Sequence, residues 1–275
     1  MIELPEAAVI SRQLNKSIST KTIKRVLAAQ SPHKFAWYSG DPASYATLLT
    51  GKTCGKAFAR GGMIEIEVGD VNLLFTDGIN LRFYQANEEQ PVKHQLLIEF
   101  KEGSALCATV AMYGGLWCFV RGTNDNPYYA AANQKPSPLS EGFTSSYFAE
   151  LFQPKLEKYS LKAFLATEQR IPGLGNGVLQ DILFAAKFHP KRKVASLTAQ
   201  DRETLYHAVR NTLRAMAEQG CRDTERDLYG NEGGYQTCMS KNTVGKPCPV
   251  CGSLVVKHPY MGGSIYFCPN CQKEG

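Results

Sequence analysis

Residues 248–271 read Cys-Pro-Val-Cys-Gly-Ser-Leu-Val-Val-Lys-His-Pro-Tyr-Met-Gly-Gly-Ser-Ile-Tyr-Phe-Cys-Pro-Asn-Cys, two Cys-x2-Cys pairs separated by sixteen residues. Each pair forms a turn that offers two thiolates to one tetrahedral Zn²⁺, and Gly252 to Phe267 is long enough for a β-hairpin that brings the turns together. Cys248, Cys251, Cys268 and Cys271 are thus expected to hold one zinc ion in a zinc ribbon. Four sulfur ligands leave no open coordination position, so the metal is structural. The alternative for the same thiols is a pair of disulfides. Cys54, Cys107, Cys118, Cys221 and Cys238 form an odd set without motif spacing. They read as reduced packing residues, which predicts a cytoplasmic protein.

Working outward, 275 residues with 43% hydrophobic content suggest about two domains with real cores. The start, Met-Ile-Glu-Leu-Pro-Glu, has no basic segment leading into an apolar run, and no stretch approaches the roughly eighteen apolar residues of a membrane span. No membrane association is expected. Residues 1–150 carry 14 Lys+Arg and 14 Asp+Glu, whereas residues 151–275 carry 17 and 11, so the whole net charge of +6 lies in the second half. A basic field on the cysteine-bearing half suits a polyanion, although such a balance also occurs as ordinary solvated surface.

A helix is predicted over about Glu3 to Asn15, with Pro5 and Glu6 suited to its first turn. A second is predicted at Tyr45 to Leu49. Six short strands follow: Met63 to Val68, Val71 to Phe75, Leu81 to Tyr84, His94 to Phe100, Ala105 to Tyr113 and Leu116 to Val120. Their Gly and Asp punctuation points to an antiparallel sandwich or barrel. Past a proline-bearing polar stretch the period becomes helical, over Ser146 to Phe152, Ser160 to Thr167, Gly177 to Lys187 and Thr198 to Gln219. The predicted layout is a β-sandwich domain at 1–132, a linker at 133–145, a helical domain at 146–235 and the ribbon at 236–275. The fold class is therefore α+β and multidomain.

Between two of those helices lies Gln169-Arg-Ile-Pro-Gly-Leu-Gly-Asn-Gly177. Gly173, Gly175 and Gly177 permit tight turning and close backbone approach, and Asn176 supplies an amide just before the next helix, whose N–H groups and dipole favour phosphate. An ordinary turn with Asn176 as N-cap explains the same residues. Lys187, Lys191, Arg192 and Lys193 stand nearby as further phosphate contacts.

With Ile-Glu-Leu-Pro-Glu at the start, Ile-Pro-Gly-Leu-Gly-Asn between helices, Phe188-His189-Pro190-Lys191 after the next helix and the four-cysteine ribbon, the chain resembles the formamidopyrimidine-DNA glycosylase and endonuclease VIII family over its whole length. The resemblance implies a sandwich, a helix-two-turn-helix domain and a zinc ribbon, acting as a monomer on double-stranded DNA that contains damaged bases or abasic sites. It implies base excision repair: the damaged nucleotide is extruded, and an N-terminal proline amine attacks C1′ to form an iminium that drives base loss and strand scission. Glu3 matches the family's catalytic carboxylate, Glu6 its second acid, and Gly175-Asn176 its phosphate-binding turn.

Ile2 stands where the family has that proline. A large second residue predicts that Met1 is retained, which offers a primary α-amine one residue, about 3.8 Å, further along; if Met1 is removed, Ile2 offers one instead. An α-amine near pKa 8, against about 10.4 for lysine, is usable near neutrality. Gly62 and Gly263 stand where the resemblance places a lysine and an arginine, and Arg60 and Lys257 are the nearest substitutes. The segment Phe75-Thr-Asp-Gly-Ile-Asn80 lacks the methionine of the oxidised-purine branch, which implies an endonuclease VIII-like specificity or a different lesion. The expected enzyme is a DNA glycosylase, either with abasic-site lyase activity through an N-terminal primary amine or monofunctional with Glu3 activating water. The alternative is a damage-specific binding protein of the same fold without the chemistry. A zinc-ribbon RNA-binding protein is a third reading.

Overall fold

The structure, a computed structural model, describes residues 1–274. It divides the chain into two compact units, one formed by residues 1–130 with 225–232 and the other by 131–224 with the segment from 233 onward. In the first unit, α1 (Leu4–Ser17) begins with Pro5 in its first turn, where a missing N–H is harmless. Glu3 and Glu6 form a reciprocal capping box, the Glu3 N–H donating to Glu6 Oε2 at 3.0 Å. Nine strands follow: β1 (Ile23–Ala28), β2 (Ala36–Tyr38), β3 (Cys54–Arg60), β4 (Met63–Val68), β5 (Val71–Phe75), β6 (Ile79–Tyr84), β7 (Leu96–Phe100), β8 (Ala105–Val110) and β9 (Gly114–Val120). A short α2 (Ser44–Leu49) separates β2 from β3.

The strands make a four-stranded antiparallel sheet in the order β1-β7-β8-β6 and a five-stranded sheet in the order β2-β9-β5-β4-β3. Within the second, β2 pairs parallel to β9 and every other pairing is antiparallel. Both sheets contribute to one core, with Ile23, Val26, Leu96, Ile98 and Leu106 from the first and Ile64, Ile66, Leu73, Phe75 and Leu116 from the second. Alternating side chains produce this: in β4, Ile64, Ile66 and Val68 enter the core while Glu65 points the other way.

Three strands, β1, β2 and β3, lie outside the six expected from sequence, for identifiable reasons. Bulges between Ile23 and Arg25 and between Cys54 and Ala57 break the two-residue period of β1 and β3. Strand β2 is three residues long, at the edge of its sheet.

The helix α3 (Pro127–Gln134) spans the boundary between the units. The second unit contains α4 (Ser145–Glu150), α5 (Leu161–Ala166), α6 (Val178–Ala185), α7 (Ala199–Glu218) and a hairpin of β10 (Val256–Tyr260) and β11 (Gly263–Phe267). In α7, Thr198 and Asp201 form a capping box, and Gly220 at φ +80° ends the turn that follows. Its Leu205, Val209, Leu213 and Met216 are fully buried, as are Leu179, Ile182 and Leu183 of α6.

After α7 the chain returns to the sandwich as a strap, residues 225–232. Leu228 is fully buried in the sandwich core, its N–H donating to Gln13 Oε1 at 3.0 Å and its carbonyl accepting from the Phe83 N–H at 3.0 Å. Gln13 Nε2 also donates to Asp227 Oδ2 at 2.9 Å, and the Arg82 guanidinium donates to the Asp227 carbonyl. Leu228→Ala is expected to destabilise this unit by about 2–5 kcal/mol in denaturant titration, because a buried leucine on a short strap leaves a cavity that cannot collapse.

Candidate active site and metal centre

The chain begins on the sandwich. The Ile2 side chain is 4% exposed and belongs to the core, whereas Met1 is 41% exposed. A cleft opens there, lined by Met1, Ile2, Glu6 and Ile10, by Ile79, Asn80, Leu81 and Arg82 of β6, and by Glu225 and Arg226 of the strap. The Met1 α-amine is ion-paired with Glu225. Of the expected catalytic residues, Met1, Ile2 and Glu6 line this cleft, and Glu3 lies between them in sequence with 7% exposure. A buried carboxylate beside a terminal amine is an arrangement suited to moving protons.

Sequence reasoning missed two acids here. One is Glu225, which no motif marks. The other is Asp77, in the β5–β6 turn, which accepts from the Tyr113 hydroxyl at 3.4 Å. Burial pushes the Asp77 carboxyl above its ordinary value, and the Tyr113 hydroxyl and, at longer range, the α-amine draw it partly back. Burial likewise raises Tyr113, with Asp77 and Glu3 adding to the effect. The turn is fixed by Gly78, at φ +79°, whose missing Cβ would collide with the Tyr113 carbonyl.

Arg60 is held within the first unit. Its Nη2 donates to Glu65 Oε1 at 3.4 Å and its guanidinium lies 4.8 Å from the Phe58 ring centroid. Glu65, 3% exposed, also accepts from the Tyr129 hydroxyl. Arg60 is therefore the counter-charge of a buried carboxylate as well as the cation nearest Gly62 in sequence.

In the second unit, the glycine turn and the hairpin are joined by side-chain amides. Asn176 is exposed, and its Nδ2 donates to the Ser264 carbonyl at 3.2 Å. It does not cap α6, whose N-cap is Gly177 without a side-chain bond. Gln180 Nε2 donates to the Asn176 carbonyl at 2.9 Å, while its Oε1 accepts from the Tyr266 N–H at 3.1 Å. Among the turn's three glycines only Gly173 uses a left-handed φ, at +82°. Gly175 accepts from the Leu179 N–H at 3.3 Å through its carbonyl.

Lys162 is a further group the sequence did not single out. It is 6% exposed, its Nζ donates to the Tyr260 carbonyl at 2.7 Å, and burial lowers its amine from the ordinary value. A side chain at Gly263 would meet Lys162 Nζ and Asn176 Nδ2 at 3.6 and 3.8 Å, so two donors flank the glycine that replaces the expected arginine. Lys191 Nζ lies 5.7 Å from the Tyr260 ring centroid and 3.8 Å from Glu274, while Lys257 is exposed on β10. Arg192 instead pairs with Asp201 at 2.8 Å.

The four ribbon sulfurs all lie within 4.8 Å of one another, with Cys248–Cys271 at 3.9 Å and Cys251–Cys268 at 3.4 Å. A tetrahedron with metal–sulfur bonds of about 2.3 Å has edges of about 3.8 Å, so this donor set fits a zinc-sized ion. All nine cysteines are free of disulfides. Hydrogen bonds from Ser253 and Asn270 favour the thiolate of Cys251. Around the cluster, the Cys268 N–H donates to Gln272 Oε1 and Gln272 Nε2 to the Phe188 carbonyl, both at 3.0 Å. Asp181 of α6 accepts from the Cys238 and Met239 N–H groups at 3.0 and 2.7 Å. Burial pushes the Cys54 and Cys107 thiols up to about 12, which suits packing residues.

Residues 1–129 match the family model of the formamidopyrimidine-DNA glycosylase N-terminal domain, and residues 135–226 match that of the formamidopyrimidine-DNA glycosylase H2TH domain. The formamidopyrimidine-DNA glycosylase of Symbiobacterium thermophilum is 31% identical across 99% of this chain and 89% of the relative. The crystal structure of the MutM (Fpg) protein from Thermus thermophilus superposes with a TM-score of 0.83 at 27% identity, covering 99% of both chains. Lactococcus lactis Fpg, solved in complex with DNA containing an abasic site, gives 0.84 over 99% of this chain and 100% of that one, and at 24% identity speaks for the fold alone. The chain belongs to the formamidopyrimidine-DNA glycosylase family. It is a DNA glycosylase of base excision repair, and the reading as a binding protein without chemistry is not favoured by these relatives. No helix among the described residues is long and apolar enough to cross a membrane.

Since the folded-state value of Asp77 lies above the roughly 3.9 of an unfolded aspartate, its ionisation opposes folding as pH rises through that window. Asp77→Asn is expected to melt higher than wild type at pH 7, with the difference closing toward pH 4, in paired thermal melts.

Proposed function

We propose that this glycosylase acts on duplex DNA carrying damaged bases or abasic sites, and that the α-amine of Met1 is its nucleophile. The observation that carries this reading is the location of the amine in a cleft with Glu6, beside the buried Glu3 and within electrostatic reach of Asp77. After losing a proton, the amine nitrogen attacks the sugar C1′. The C1′–N bond electrons leave with the base, which takes up a proton, and ring opening gives an iminium as O4′ is protonated. Elimination of the 3′ phosphate then cuts the strand. Glu3 is the carboxylate assigned to these proton movements, with Glu6 holding the turn that presents it. Ile2 positions the reacting end through its buried side chain.

The DNA grip falls to Gly175, Asn176, Lys191 and Lys257 of the second unit and Arg60 of the first. Exposed amide and ammonium donors around a glycine-flanked turn suit phosphate oxygens, which fix position without reading sequence. The 31% identical Symbiobacterium thermophilum relative is a formamidopyrimidine-DNA glycosylase, which supports DNA carrying damaged bases as the partner class here. The four-cysteine cluster is assigned one zinc ion that stabilises the hairpin carrying Lys257.

Borohydride reduction with abasic-site duplex is expected to trap a covalent adduct that disappears when the α-amine is blocked; tight binding with neither adduct nor base release would refute the amine mechanism. Intact-mass measurement establishes whether Met1 or Ile2 carries that amine. Asn176→Ala is expected to weaken duplex binding about tenfold whatever the sequence, as loss of a hydrogen bond to a charged group implies, and unchanged affinity counts against the phosphate assignment. Cys268→Ser is expected to lose the bound zinc, read by metal analysis, and to unfold the ribbon.

A further inference from the structure

The strap that crosses the sandwich delivers an acid to the chain's first atom. Glu225 begins the strap, its carboxylate is ion-paired with the Met1 α-amine, and its side chain is only 22% exposed. The backbone just beyond it is rigidly held. Asp227 accepts from Gln13 and from the Tyr229 and Asn231 N–H groups at 2.8–2.9 Å, and Leu228 is buried in the sandwich core. Arg226 is fixed to the Gly230 carbonyl and to Glu232.

Ile2 is locked by burial, so a primary amine one residue beyond it hangs on the rotatable bonds of a half-exposed Met1. An amine left unanchored there would spend little time where a sugar carbon can be attacked, and small misplacements reduce rates steeply. We propose that Glu225 is the positioning residue of this nucleophile: the strap holds its carboxylate at one place in the cleft, and the carboxylate holds the Met1 nitrogen there.

The proposal rests on the amine reading above and adds a residue to it. It also accounts for how a chain carrying Ile2 and an additional residue keeps a defined reacting end: a second attachment point replaces the stiffness that Met1 lacks. The other charged groups here are Glu6, Arg82 and Arg226 lining the cleft, the buried Glu3 two residues along the chain, and Asp77 on the β5–β6 turn. The strap presents Glu225 to the amine, while the strap's Asp227 carbonyl occupies the Arg82 guanidinium. During attack the ammonium gives up its proton to Glu3, the carboxylate assigned to that step above, or to water, its lone pair forms the bond to C1′, and the departing base carries away the glycosidic electrons; Glu225 only holds the nitrogen in place.

The test uses the full chain, with Met1 verified by intact mass, as wild type, Glu225→Ala and Glu225→Gln. Two rates are measured: single-turnover borohydride trapping on saturating abasic-site duplex, and acylation of the α-amine by a small anhydride at pH 7, followed by peptide mass spectrometry. Glu225→Ala is expected to slow trapping about tenfold or more while the duplex Kd stays within about twofold, as loss of orientation without loss of grip requires. Its α-amine is expected to acylate several-fold faster, since a small reagent needs no orientation. Glu225→Gln, whose Oε1 still accepts from the amine, is expected to retain most of the trapping rate.

An alanine variant that traps at the wild-type rate or faster, or acylates no faster, overturns the proposal. So does an intact mass lacking Met1. A wild-type protein that forms no adduct at all overturns the amine reading together with it, and the acylation difference then marks Glu225 as a structural contact only.

Discussion

Burial of Ile2 in the sandwich core is the constraint on which the position of the first residues depends. Removing such a side chain from water is worth about 1.5–3 kcal/mol, which is enough to hold an otherwise loose terminus against β-structure. With Ile2 fixed, Glu3 falls at the N-cap of α1 and Glu6 at the position that closes the capping box. The Met1 amine is left as the first group beyond the anchor. An apolar side chain thus sets the position of the polar groups proposed to react.

The second unit uses a different device, since its ribbon is small and its hairpin short. Gln180 and Asp181 are adjacent on α6 and almost wholly buried. One joins the glycine turn to the β11 backbone, and the other receives the N–H groups of Cys238 and Met239. Burying polar side chains is unfavourable unless each finds partners, and here the partners are backbone groups at stated positions. The Gln180 amide and the Asp181 carboxylate therefore set register between the turn, the hairpin and the four-cysteine cluster. Lys162 fits the same pattern, with its buried ammonium on the Tyr260 carbonyl.

Much of the fold was legible in the residues. The four-cysteine spacing placed the sulfur cluster, and the helical period and caps placed α7 within a residue at each end. Strands β4 and β5 were read at their observed limits because Gly61-Gly62, Gly69-Asp70 and Asp77-Gly78 punctuate them. β1 and β3 were not, because a bulge shifts the register and puts exposed Lys24 and Arg25, and Gly55 and Lys56, between successive buried residues. The site was legible where a motif carried it: Glu3, Glu6, Asn176 and the cysteines all sit in local patterns. Glu225, Asp77 and Lys162 lie in no such pattern, and each gains its surroundings from an element distant in the chain.

The sequence by itself determined the family, the order of sandwich, helical region and ribbon, and which four cysteines cluster, because those depend on spacing and period along the chain. Only the tertiary structure decided what stands beside the α-amine. Glu225 is 224 residues from Met1, and no local propensity encodes a contact of that range. It exists because Leu228 pulls a strap into the sandwich core, and that burial, a property of the assembled sheets, places the acid at the beginning of the chain.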